Sequence, residues 1–268
     1  MDTKELRGLF AEAAELGIAL VIIGGGEPLS RPDILDITES FPQIVFALFT
    51  NGLLVDEQTV ERLRSQRHVI PIISMEGLEP DTDNRRGKGV HERARRAMEN
   101  LSRGKVFFGT SLTVTRNNFA IVTDERFIRG LISVGCRFIF HIGYVPVAEG
   151  TDNLVLTDEQ ISAQVRLLAS FRRRLPALFI AFPGDEYAMG GCLAAGRGFV
   201  HVSPEGRLEP CPFSPFSDVS LRETSLRDAL NSRLLRTIRE NRGLLDESNG
   251  ICALWNNREW VASVAADR

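Results

Sequence analysis

The sequence is poor in cysteine, has no large excess of either charge and contains no long apolar run, and each shortage removes a class of protein. Four cysteines in 268 residues, Cys136, Cys192, Cys211 and Cys252, are too few and too scattered to staple a disulfide scaffold. In a reducing compartment such residues are core thiols or metal ligands, and three of the four fall in the last third of the chain. A net charge of -3 provides no basic footprint for nucleic acid or an anionic membrane surface, so neither is an expected partner. No stretch approaches the ~18 consecutive apolar residues of a spanning helix. The opening residues carry Asp2, Lys4 and Glu5, unlike a leader, so the expected location is cytoplasmic. At 43% hydrophobic and 25% charged, the composition is that of a globular chain, with room for one large α/β domain or a domain with an appendage.

What is present is an alternation. An amphipathic segment with Leu6, Leu9, Phe10, Ala13 and Leu16 on one face leads into the apolar run 19–23. Strand-like runs recur at 44–49, 69–74, 106–114, 137–142 and 178–182, with helical patterns at 57–64, 91–101, 124–134 and 157–174 between them. The last of these helices opens on Thr157 with Gln160 three residues on, a capping-box pattern. Strands alternating with helices predict a parallel sheet covered by helices, open or closed into a barrel. After Pro183 the chain turns rich in Gly, Pro and Cys. Two short runs, 199–202 and 207–209, flank Ser203-Pro204-Glu205-Gly206 and read as a hairpin. A last helix is expected over 226–241, with Leu230, Leu234, Leu235 and Ile238 facing inward. The domain boundary implied is 1–183 and 184–268.

The residues that carry chemistry sit where the strands end, the working face of a parallel barrel. The first run ends in Gly24-Gly25-Gly26-Glu27-Pro28-Leu29. Glycines let a ligand approach the backbone closely, and strand-end carbonyls can accept from an ammonium group; a tight β-to-α turn needs the same residues. The next strands end in Thr50-Asn51-Gly52 and in Ser74-Met75-Glu76-Gly77, the latter followed by Asp83-Asn84-Arg85-Arg86-Gly87-Lys88-Gly89. Then come Thr113-Val114-Thr115 with Asn117 and Asn118, and His141 to Tyr144. In order and spacing this set resembles the radical S-adenosylmethionine (SAM) superfamily, in particular members carrying SPASM or twitch extensions, with Glu76 standing where Asp is usual.

The resemblance implies an α/β fold, a partial parallel (β/α) barrel of radical SAM type with its first β strand missing and a C-terminal twitch/SPASM-like extension. It implies SAM as cofactor, its methionyl amine held by the backbone of Gly25, Gly26, Glu27 and Pro28. Ser74 is suited by its hydroxyl to the SAM carboxylate or ribose, and Arg86 to a carboxylate, a solvated surface charge being the alternative for Arg86. Asn51 reads first as a turn residue. In the tail, Cys192, thirteen residues, Gly206, four residues and Cys211 match the opening of the SPASM/twitch pattern. With Cys252 as third ligand, they would hold an auxiliary 4Fe-4S cluster whose open iron could take substrate, water or His201. Buried structural thiols, or a zinc site of three cysteines and one histidine, fit the same residues. Cys136 reads as core. His141, Tyr144, Glu149, Asp185 and Glu186 are candidates for contact with a small-molecule or peptide substrate.

The family's C-x3-C-x2-C trio, which holds the cluster that cleaves SAM, has no counterpart here, because the first cysteine is Cys136. The sequence favours an N-terminally truncated enzyme. A partner chain supplying the missing loop and a degenerate SAM-free relative are the alternatives. Run 19–23, apolar at every position, is then expected to form an unpaired edge, a known aggregation liability. Two functions follow from the resemblance. One is an enzyme that generates a 5'-deoxyadenosyl radical to modify a peptide, cofactor precursor or small molecule, although this chain alone is not expected to cleave SAM. The other is a non-catalytic iron-sulfur or zinc-binding module.

Overall fold

A computed structural model describes residues 1–246 and 252–266. In chain order the first elements are α1 (Thr3–Glu15), β1 (Leu20–Ile23), α2 (Ile34–Glu39), β2 (Val45–Thr50), α3 (Glu57–Ser65), β3 (Val69–Met75) and α4 (Glu79–Arg86). Next come α5 (Val90–Arg103), β4 (Gly109–Val114), α6 (Phe119–Val122), α7 (Glu125–Val134), β5 (Phe138–Gly143), α8 (Asp158–Arg174) and β6 (Leu178–Phe182). The chain divides into two compact units, Ile18–Phe182 and the combination of Met1–Gly17 with Pro183–Arg268.

The unit Ile18–Phe182 is one six-stranded sheet with its strands in sequence order and every neighbouring pair parallel. Each strand pairs with the next in the chain, so the crossovers wind in one direction, as in a β/α barrel. Among the described residues β1 and β6 each pair on one side only, which leaves the barrel partial. Side chains alternate between the two faces, the period-two rule of strands. Phe46 and Leu48 are fully buried on one face, while Ala47 and Phe49 join Ile72, Phe140 and Phe182 in an apolar cluster on the other. At the edge, Leu20 is 52% and Ile22 53% exposed, so the apolar edge expected at 19–23 is present. The helix signals also hold. Gln160 N donates to Thr157 Oγ1 at 3.3 Å while Thr157 N donates to Gln160 Oε1 at 3.1 Å, a reciprocal cap on α8. The strand expected from 106 begins only at Gly109, because Lys105 turns the chain with φ at 56° and Val106 N bonds back to Leu101 O.

In the other unit, α1 is capped by Asp2 and Glu5 and groups with the tail. Glu12 Oε2 accepts from Leu226 N at 2.5 Å, and Arg222 Nε donates to Glu5 Oε1 at 2.8 Å. The expected hairpin is β7 (His201–Val202) against β8 (Leu208–Glu209), closed by Ser203 N donating to Arg207 O. The single helix expected over 226–241 is two, α9 (Leu226–Ala229) and α10 (Arg233–Glu240). The break has a local cause: Ser232 leaves the helical conformation and its hydroxyl accepts from Leu235 N to start a new helix. The last elements are α11 (Ala253–Asn256) and α12 (Arg258–Ala266). Among the described residues no helix is long and apolar enough to cross a membrane.

Candidate active site

Beyond the ends of β1, β2 and β3 lies a cavity of about 440 Å3 lined by Gly25, Gly26, Phe49, Thr50, Asn51, Leu53, Ser74, Arg86 and Val90. Gly25 has φ at 100°, a conformation that other residues rarely adopt. A Cβ built on Gly25 or Gly26 would meet nothing within 4 Å, so this stretch of backbone borders open space. Four residues nominated from the sequence, Gly25, Gly26, Ser74 and Arg86, therefore share one cavity wall.

Glu27 and Pro28, nominated with them, do not line the cavity but hold its rim. The Glu27 carboxylate accepts from Leu29 N at 3.0 Å, Thr50 Oγ1 at 2.8 Å and Asn51 N at 2.8 Å, tying the turn after β1 to the end of β2. Pro28 opens a short 3-10 turn, Pro28–Ser30, where its fixed φ and missing N–H cost nothing. Asn51 Oδ1 accepts from Leu53 N at 2.9 Å, the turn role read from Asn-Gly, and the residue lines the cavity as well.

Arg86 is neither a solvated charge nor an unengaged one. Its Nε and Nη2 both reach Oε1 of Glu76, at 2.8 and 2.6 Å, while Arg85 Nη1 reaches Oε2 at 2.6 Å. The Glu76 side chain is 2% exposed, so the extra methylene relative to Asp spans from the end of β3 to two arginines at the end of α4. Arg85 also lies over the ring of Tyr144, 5.8 Å from its centre. Asn118, which sequence reasoning left without a role, joins the strand ends: its Nδ2 donates to Glu76 O at 2.7 Å and Thr113 O at 2.8 Å. Asp83 shapes the connection into α5. The N–H groups of His91 and then Gly89 on its carboxylate hold it below the usual carboxylate range.

The candidates for substrate contact separate. His141 is fully buried, with Nε2 3.0 Å from Val122 O and its ring 6.5 Å from that of Phe179. It alternates with Phe138, Phe140 and Ile142 and so takes the opposite face of β5, which corrects the expectation that it faces the site. Tyr144 is half-buried and Glu149 exposed. Asp185 is half-buried, and Glu186 is buried and accepts from Gly184 N at 3.0 Å.

In the tail, Cys192, Cys211 and Cys252 are all buried, at 5, 6 and 8% exposure. Their segments lie alongside one another: Cys192 N donates to Leu245 O at 2.8 Å and Ala195 N to Pro210 O at 3.0 Å, while Asn257 Nδ2 reaches Leu244 O at 3.1 Å. Gly191 makes this approach possible, since a Cβ there would stand 2.2 Å from Leu245 O. Among the described residues, no three His, Cys, Asp or Glu side chains are already drawn together at metal-ligand spacing. His201, considered as a further ligand, pairs through Nδ1 with Glu209 Oε2 at 2.7 Å. Cys136 is core, and burial pushes its thiol up to about 12.

Residues 1–119 match the family model of the radical SAM superfamily. The AdoMet-dependent heme synthase of Methanosarcina barkeri is 28% identical over 297 residues, an alignment covering 99% of this chain and 82% of that protein. Residues 1–119 carry a radical SAM domain. The PqqA peptide cyclase of Rhizobium meliloti is 27% identical over 250 residues, and the alignment takes in 84% of this chain but only 64% of the cyclase. A crystal structure of Streptococcus suis SuiB bound to S-adenosylmethionine has the same fold, with a TM-score of 0.73 at 16% identity, over 90% of this chain and 61% of SuiB.

Radical SAM proteins use SAM and a 4Fe-4S cluster, and the residues here fit the two differently. The cavity suits SAM: an open glycine backbone, a serine hydroxyl, and Arg86, whose Nη1 makes no hydrogen bond among the described residues. A SAM-chelating cluster does not fit this chain, since no cysteine precedes Cys136 and that thiol is sealed in the core. The tail suits a cluster in its donor chemistry, three buried thiols on adjoining segments with a buried hydroxyl nearby, Ser214 Oγ, that has no partner among the described residues.

Proposed function

We propose that this chain is the SAM-holding and substrate-facing part of a radical SAM enzyme that modifies a peptide or cofactor precursor, with a core over 1–183 and a twitch-like domain over 184–268 that carries an auxiliary cluster. The observation that carries this reading is the cavity at the strand ends, where Gly25, Gly26, Ser74 and Arg86 converge. SAM, held by Gly25, Gly26, Ser74 and Arg86, would supply radical chemistry once given an electron by a cluster held outside this chain. The chain's own residues bind and orient. The carbonyls around Gly25 and Gly26 accept from the methionyl ammonium, Ser74 Oγ bonds the carboxylate or ribose, and Arg86 offers its remaining N–H groups to the carboxylate while Glu76 holds the guanidinium in the wall. Glu27 and Pro28 fix the rim that presents the glycines. Peptide or cofactor-precursor substrates are supported by the relatives' own names, a heme synthase and a PqqA peptide cyclase, and by a structure of SuiB bound to its precursor peptide SuiA.

The loop carrying C-x3-C-x2-C has to come from another polypeptide segment, because this sequence contains none. β1 offers it a place: among the described residues the strand is unpaired on one side, and Leu20 and Ile22 are half exposed. SAM should therefore bind weakly to the 268-residue chain, with one of two anchors gone. Anaerobic incubation with dithionite and SAM is the test. The chain alone should yield no 5'-deoxyadenosine, and addition of a segment or partner with the cysteine trio should yield it. Sustained 5'-deoxyadenosine formation by the chain alone would reject the need for the trio. Failure of every added trio would favour the second reading, a non-catalytic iron-sulfur or zinc module, for which the late position of the first cysteine is the supporting observation.

A further inference from the structure

The second tail cysteine sits in a turn whose other end is a buried serine. Ser214 N donates to Cys211 O at 2.9 Å, and the two residues face each other as an antiparallel bridge across Pro212 and Phe213. Directly opposed residues of an antiparallel pair project to the same side, with Cβ atoms about 5 Å apart. The Ser214 hydroxyl and the Cys211 thiol therefore share one face of the turn, and both are buried, Ser214 completely. Other buried hydroxyls have partners: Thr38 reaches Gln66, Thr110 reaches Ile73 O, and Ser203 reaches Glu205. Ser214 Oγ has none among the described residues. The turn itself uses only the backbone of residue 214, so alanine would close it equally well. A buried hydroxyl without a partner costs about 1–3 kcal/mol, which calls for an acceptor that the protein alone does not supply.

We infer that Ser214 Oγ donates a hydrogen bond to the Cys211 thiolate, or to an adjacent sulfide, of an iron-sulfur cluster held by Cys192, Cys211 and Cys252, and that this bond raises the cluster's reduction potential. The inference rests on the auxiliary-cluster reading above and adds a residue to it. A serine hydroxyl carries one proton to give, and the sulfurs of a cluster are acceptors. One-electron reduction adds a negative charge to the cluster, so a donor aimed at sulfur favours the reduced form, and hydrogen bonds to the sulfurs are among the determinants of cluster potential.

The test compares the full chain, Ser214→Ala and Ser214→Thr after anaerobic reconstitution with iron and sulfide, read by metal content and by redox titration of the cluster's absorption and EPR signal. Ser214→Ala should load as much iron and sulfide as the parent but titrate at a more negative midpoint, with Ser214→Thr restoring the shift. Without iron, Ser214→Ala should melt no lower than the parent, since it removes only an unsatisfied hydroxyl. Equal midpoints for parent and Ser214→Ala overturn the inference. Loss of iron from the Ala cluster also overturns it, by making Ser214 a ligand, as does a lower melting point of the iron-free variant, by revealing a protein partner. A parent chain that loads no cluster, or that still loads one with all three cysteines replaced, brings down the auxiliary-cluster reading itself, and that is seen before any serine variant is compared.

Discussion

The strand-end cavity and the cysteine-bearing tail are built in opposite ways. Around the cavity the polar groups are already spoken for by the protein: Glu27 clamps two strand ends, Glu76 takes two arginines, and Asn118 bridges two carbonyls. What remains for a ligand is glycine backbone, a serine and the outer edge of one guanidinium. In the tail the thiols are buried and their segments adjoin, yet no three metal-ligating side chains lie together among the described residues, and a hydroxyl beside one thiol is left unsatisfied. A wall finished in advance suits a ligand that comes and goes. Under the function proposed above, the tail centre would be completed only when its cluster binds.

The largest effect that would break this contrast is in the tail. Replacing Cys192, Cys211 or Cys252 by Ala should abolish the cluster's absorption and its iron and sulfide content while leaving SAM binding at the cavity unchanged; full loading in the triple variant would end the ligand assignment. Cluster loading should next show up in hydrogen exchange, as slower amide exchange around Cys192, Cys211 and Cys252 with the six-stranded sheet unaffected. Protection appearing equally in the sheet would mean the two sites are not built on different principles.

At the cavity the changes should be smaller. Glu76→Gln leaves two arginines without their counter-ion, but both are partly solvated, which brings the cost down from that of a fully buried pair to about 1–2 kcal/mol. Calorimetry should show weaker SAM binding as well, and unchanged affinity would mean that Arg86 is held by something else. Gly25→Ala forces a residue with a Cβ into a positive φ, at a cost of about 1 kcal/mol that denaturant unfolding can read. The smallest effect lies at a surface ion pair, Glu125 with Arg129 and Arg174. Hydrogen bonds from Arg174 and then Arg129 hold the Glu125 carboxyl down at about 2, against 4.5 for the unperturbed group. Its stabilisation is complete above about 4.5 and is lost as pH falls through about 2. Glu125→Gln should therefore lower the melting temperature slightly at pH 7, and the difference should vanish towards pH 2.

Much of this was legible in the sequence because the features concerned repeat a local rule. Period-two runs between amphipathic helices specify a parallel sheet, Thr157 with Gln160 specifies a cap, and a glycine-rich turn at a strand end specifies where a ligand has room. Direction was harder to read. A motif gives residue types but not what their side chains touch: Glu27 and Arg86 both belong to the site, one spent on its rim and the other shared with Glu76. His141 could have been found by parity, since it lies between Phe140 and Ile142 of the opposite face. The break at Ser232 was hidden because its apolar neighbours keep helical spacing while its hydroxyl competes for the backbone. The thirteen-residue spacing between Cys192 and Gly206 identified the tail, but no pattern in the sequence marks Ser214, whose interest comes entirely from being buried without a partner.

The hydrogen bond from Leu226 N to Glu12 joins residues 214 positions apart, and it sets a schedule for synthesis. Each strand of the sheet can dock on the one made just before it, so the sheet can grow as the chain leaves the ribosome. Helix α1 is made before the sheet, but the helix it bonds to is made after it. At roughly 5–20 residues per second, α1 waits roughly 10–40 s for that partner. Through that interval α1 lacks the tail with which it groups. A segment translated before the sheet is thus placed after it, and chaperone dependence during synthesis should concentrate on α1 and not on the sheet.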